Sequence, residues 1–174
     1  MITENLISQL EDSTRELEAF LALPSENEVT YTPSPTYWSV LDVLEHLFLR
    51  ERMVLKFTLS TSAKQLTEGP KEIFGTERIK TIFTNFERKF RAPEMIAPTQ
   101  QFPDWEPLKQ LYMENRKALR LAIEAQASTL QTSYFAHPLM GDLTKYEWIH
   151  FLIYHSDRHL VQMKNALKAA RERV

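Results

Sequence analysis

The sequence predicts an all-α fold, a four-helix bundle with one additional short helix, in which residues 1–174 form a single domain. Three observations point there. Apolar residues recur at steps of three or four over long stretches, as on one face of a 3.6-residue helix. Only three glycines occur in 174 residues, so the chain is poor in a residue that weakens helices. No segment alternates apolar and polar side chains long enough to argue for a sheet, and no solenoid repeat is visible. This length supports one hydrophobic core and is too short for two ordinary domains.

The first helix is expected from Thr3 to Leu23, with Leu6, Leu10, Leu17, Phe20 and Leu21 on its apolar face. Pro24 stops it. Pro33 and Pro35, among serine, threonine and tyrosine, mark an ordered but irregular connection up to Trp38. Ser39 is a suitable N-cap for a second helix running to about Ser60, and Asp42 complements the dipole of its first turn. Gly69 and Pro70 then break the pattern. A shorter amphipathic stretch between Glu72 and Phe90 carries Ile73, Ile79, Ile82, Phe83, Phe86 and Phe90 and is ended by Pro93 and Pro98. Asp104 can cap the next helix, with Pro107 in its first turn and Leu108, Leu111, Tyr112, Leu119, Ala122 and Ile123 facing the core as far as about Ala127. A loop with Pro138 and Gly141 follows. The last helix should start near Leu143 or Thr144 and align Trp148, Leu152, His155, His159, Gln162 and Ala166 on one face. Such stretches suit an antiparallel bundle.

Composition removes several function classes. Charged residues make up 25% and apolar ones 43%, the balance of a soluble globular chain. A formal charge of −2 provides no broad basic field for nucleic acid, so that partner is not expected. No run of about 18 apolar residues is present and the amino terminus lacks a basic-then-apolar leader, which points to a cytoplasmic protein without a membrane partner. There is no cysteine. Disulfides and thiolate ligands are excluded, and any metal must be held by nitrogen and oxygen.

His155 and His159 stand four residues apart in the strongest helical segment, which sets their rings about 40° apart around the axis and one turn apart along it. Two imidazoles so placed can grip one metal ion, and His46, mid-helix between Leu44 and Leu49, can supply a third nitrogen. Spacing alone does not separate this from three packed histidines. His150 lies about 180° around the helix from His159, and His137 precedes Pro138 in a loop; both read as structural or solvent-facing.

The residues around these histidines resemble the DinB-like family at both ends of the chain. Trp38-Ser39, Asp42 and His46-Leu47 are similar to the family's helix opening that carries the first ligand histidine. His137-Pro138, Gly141, Leu143-Thr144, Glu147-Trp148, His155, Arg158-His159 and Gln162 resemble its carboxy-terminal signature, in which the H-x-x-x-H pair completes a metal triad. The resemblance runs from about Trp38 to Gln162 and says little about the middle. It departs at Asp42, where many relatives have glutamate; a helix-start carboxylate is the simpler reading and an outer role toward the metal the other.

The resemblance implies one divalent metal per chain, commonly nickel or zinc, held by His46, His155 and His159, and a homodimer, for which Phe83, Phe86 and Phe90 offer exposed aromatic material. Some relatives are transferases using low-molecular-weight thiols and others are metal-dependent hydrolases. Three neutral histidines leave the metal an open position, where a thiol or a water on the way to a small-molecule substrate could be activated. Hydrolysis would need a nearby base, for which the chain offers Asp42, Glu45 and, on a poor helical bearing, Asp157. Thiol transfer needs none, which favours it slightly; a metal- or ligand-binding protein without turnover stays open. Trp38 and Trp148 read as core anchors or pocket walls, and metal affinity is expected to weaken as pH falls through about 6.5.

Overall fold

The computed structural model describes residues 2–87 and 98–173. Its elements in chain order are α1 (Ile2–Leu21), α2 (Glu26–Val29), α3 (Val40–Leu59), β1 (Lys64–Gln65), α4 (Thr76–Thr84), α5 (Trp105–Ala125), β2 (Ser133–His137), β3 (Gly141–Thr144) and α6 (Lys145–Arg171). Four long helices and one shorter one, α4, match the expected bundle. The helix α2 is a single turn within the irregular connection.

Local chemistry sets the helix starts. The Ser39 hydroxyl accepts from the Asp42 amide at 3.1 Å, while the Asp42 carboxylate accepts from the Ser39 amide at 2.9 Å and its hydroxyl at 2.8 Å. This capping box satisfies donors that α3 would otherwise leave unpaired. Thr144 and Glu147 repeat the device at α6. Glu147 also accepts from the amides of Ile73, Phe74 and Gly75 at 3.0, 2.7 and 2.7 Å. Those amides point across to α6, so the helix expected from Glu72 starts only at Thr76, after Gly75 turns at a φ of 102°.

At the other end of α4 the Arg158 guanidinium donates to the carbonyls of Phe83 and Asn85 at 3.2 and 2.7 Å, which takes up acceptors that a helix end leaves open. Phe83 is buried and Phe86 exposed. Of the aromatic material considered for self-association, Phe83 therefore belongs to the core; Phe90 and the stop at Pro93 lie outside the described residues.

A small antiparallel sheet, in the order β1-β2-β3, departs from the expectation of helices alone. The loop with Pro138 and Gly141 is the turn of its hairpin, where His137 pairs with Gly141 and Tyr134 with Thr144. Gly141 takes a φ of 77°, which few side chains tolerate. Strands of two, five and four residues are too short to show alternation, and β2 buries only its two ends.

In the bundle α1 packs on α5 and α6, and α3 packs on the same two helices. The helices α3 and α6 run antiparallel: His46 meets His155, Glu51 meets Ser156, and the Ser60 carbonyl meets Lys145 Nζ. The pairs α1/α6 and α3/α5 run in the same direction. Leu17 and Phe20 share an apolar cluster with Leu160 and Leu167, whereas Leu6 and Leu10 share another with Ile149 and Leu152. Likewise Leu44 shares the first cluster with Leu108, while Val54 and Leu119 share the second. The expectation of an antiparallel bundle thus holds for only some neighbours, because the long connections at 22–39 and 60–104 free the chain from hairpin-like succession.

Between the two apolar clusters lies a buried polar layer. Arg116 of α5 donates to Glu51 of α3 at 2.7 and 2.6 Å, to Ser156 of α6 at 2.7 Å and to Thr14 of α1 at 3.3 Å. Tyr112 donates to the same carboxylate at 2.7 Å. Glu51 is therefore neutralised and fully engaged inside the bundle.

Candidate metal centre

The antiparallel pairing of α3 with α6 brings His46 against His155 and His159. The Nε2 atoms of His46 and His155 are 3.1 Å apart, those of His155 and His159 are 3.2 Å apart, and one ligand atom from each ring lies within 4.8 Å of the others. Nitrogens held about 2.0–2.1 Å from one zinc ion stand roughly 3 Å apart, so this spacing suits a shared cation after a modest contraction. His159 Nδ1 is 2.7 Å from the Gln162 side-chain carbonyl, which accepts its proton and leaves Nε2 with its lone pair toward the cluster. Only one proton could bridge His155 Nε2 to one of its two neighbours. A cation satisfies all three.

Burial fixes the charge state. Loss of water, then repulsion from His46, holds His159 down to about 3, and burial followed by repulsion from His159 and His46 holds His155 well below the usual range. Both imidazoles stay neutral in weak acid and keep lone pairs for a metal. The reference value of about 6.5 belongs to a solvated ring and does not describe these two imidazoles.

Aromatic side chains enclose the cluster. Trp38 lies with its ring 5.1 Å from His46 and 6.4 Å from His159, Phe83 meets His155 edge-on at 5.8 Å, and Phe151 stacks on His155 at 5.3 Å. Trp38 is thus a wall of this site. Trp148 is a core anchor, its indole N–H donating to the Phe135 carbonyl at 3.3 Å.

The other candidates go elsewhere. His137 and His150 are both buried, so neither is solvent-facing. His150 packs between Tyr146 and Tyr154, and His137 against Trp148 and Phe151. Asp42 is used in its helix cap. Glu45 accepts from the Thr99 amide and hydroxyl at 2.9 and 3.2 Å, and Asp157 accepts from Ser13 of α1 at 2.9 Å. Sequence reasoning did not single out Phe83, Phe151 or Arg50 near the site; the available signal was the helical period of four that separates His46 from Arg50 and Phe151 from His155.

Comparison with known proteins agrees with this architecture. The protein YuaE of Bacillus subtilis (strain 168), itself uncharacterized, is 26% identical over 144 residues, covering 80% of this chain and 83% of that protein. The solved structure of YfiT from Bacillus subtilis, described as a probable metal-dependent hydrolase with an unusual four-helix bundle topology, superposes with a TM-score of 0.59 at 13% identity. That likeness covers 96% of this chain and 86% of YfiT and bears on the fold alone. The family model of the DinB superfamily matches residues 9–163, and the chain belongs to that superfamily.

Proposed function

We propose that His46, His155 and His159 hold one divalent metal ion, zinc or nickel, and that the chain is a metal-dependent enzyme activating a low-molecular-weight thiol for transfer to a small electrophilic substrate. The observation that carries this reading is the convergence of three Nε2 atoms, two of them on rings kept neutral by burial. Imidazole nitrogen suits both metals. When bound, the metal supplies Lewis acidity that lowers the pKa of a coordinated thiol or water.

The protein's own residues orient and shield. Gln162 sets the His159 tautomer and ring angle, and Trp38, Phe83 and Phe151 limit water around the cluster, which strengthens electrostatic interactions inside it. Thiol activation is favoured over water activation because Asp42, Glu45 and Asp157 are each committed to another partner. A nucleophilic thiolate needs no separate base. Hydrolysis is the second reading, supported by the description of YfiT as a probable metal-dependent hydrolase.

Elemental analysis of the purified protein beside His155→Ala tests the metal assignment: about one ion per chain is expected in the first and little in the second. Turnover of thiol-plus-electrophile pairs against panels of esters and amides then separates the two chemistries. Turnover confined to the esters or amides would replace the thiol reading with hydrolysis.

A further inference from the structure

One helical turn after His46, α3 carries Arg50 into the interior, where it is only 6% exposed. Its guanidinium carbon lies 5.3 Å from the centre of the Phe151 ring, and its Nε is buried without a hydrogen-bond partner. Among the described residues it has no carboxylate partner. Arg116, on the neighbouring helix, shows the usual solution, with Glu51, Tyr112 and Ser156 around it. A guanidinium taken out of water without a counter-charge is costly, and the fold retains this one.

A second donor faces the same ring. His137 ends β2 with its ring 4.9 Å from that of Phe151. Its Nδ1 accepts from the Leu139 amide at 3.1 Å, which places the proton on Nε2, and Nε2 is buried without a partner. The imidazole stacked on Phe151 is that of His155. Two orphaned donors and a candidate metal ligand thus surround one aromatic side chain.

We propose that Arg50 and His137 form an anion-binding subsite beside the three-histidine cluster, and that it receives a carboxylate group of the substrate. The substrate role rests on the metal reading above; the subsite itself does not. A carboxylate accepts from a guanidinium and an imidazole N–H and carries one negative charge. Arg50, lowered by burial to about 10, keeps its charge at neutral pH, while His137, lowered first by burial and then by Arg50 to about 4, adds a donor and no charge. One positive charge matches a monoanion better than a phosphate dianion.

The test is calorimetric titration of propionate, with inorganic phosphate as comparison, into metal-loaded and metal-free protein and into Arg50→Gln and His137→Phe, with metal content measured for each. Propionate should bind both wild-type forms more tightly than phosphate. Arg50→Gln should weaken propionate at least tenfold, His137→Phe by a smaller factor, and both should keep their metal. Wild-type affinity in both variants, absence of propionate binding, or preference for phosphate would overturn the proposal. Propionate binding only in the metal-loaded form, unaffected by Arg50→Gln, would assign the anion to the metal and also overturn it. If the wild type holds no metal yet binds propionate through Arg50, the metal reading fails and the subsite stands.

Discussion

At His159 the hydrogen bond to Gln162 does what a metal ligand requires of its other nitrogen, since it selects the tautomer and stops the ring from turning. Gln162→Met should therefore lower metal affinity by about 10- to 100-fold, as measured by chelator competition, with an unchanged circular dichroism spectrum. Unchanged affinity would mean that the ring is held by packing alone. His150 provides the internal control: it lies on α6 but packs between tyrosines, so His150→Ala should keep the metal that His155→Ala loses. Equal loss in the two would remove the present assignment. The helical pair was legible from its spacing, and His46 from the family-like residues around it. Arg50 was not, because a lone arginine in a helix reads as surface until Phe151 of α6 is seen against it and its burial is known.

Among the elements, α4 is the one whose limits depend on a distant residue. Glu147 serves its own helix as half of a capping box and holds three consecutive amides ahead of α4. Glu147→Leu leaves these donors without an acceptor, for which a cost of about 1–3 kcal/mol is expected in denaturant unfolding. Hydrogen exchange should quicken most at Ile73, Phe74 and Gly75. Protection that stays unchanged there would show that the segment is fixed by other contacts. Periodicity located the core of α4 and missed its start, since no local signal announces that residues 73–75 bond across to α6. The sheet escaped for a related reason: its pairing joins Lys64–Gln65 to residues far along the chain, and each strand is shorter than the window in which alternation shows.

Over the whole molecule, the buried polar layer and the buried histidines act on stability in different ways. Arg116 ties all four long helices through Glu51, Ser156 and Thr14, so Glu51→Leu alone, which strands the guanidinium, should cost about 3–5 kcal/mol. The pair Glu51→Leu with Arg116→Met should recover much of that loss in urea unfolding; an additive loss would mean that the network's value lies in more than charge pairing. The histidines make stability depend on pH. His137 is held by burial, then by Arg50, down to about 4, and burial also lowers His150 against the pull of Glu72, Glu147 and Glu77. In the unfolded chain both titrate near about 6.5. As pH falls from there towards about 4 the unfolded state binds a proton that His137 refuses in the fold, so stability should fall by about 1.4 kcal/mol per pH unit for that group, and His150 acts in the same direction. Asp157, raised by burial, works the opposite way. The urea midpoint of metal-free protein should thus hold steady above pH 7 and drop between pH 6.5 and 5. The drop should be shallower in His137→Phe, which keeps the aromatic packing and removes one proton site; a midpoint that rises on acidification would show that the buried imidazoles are charged in the fold.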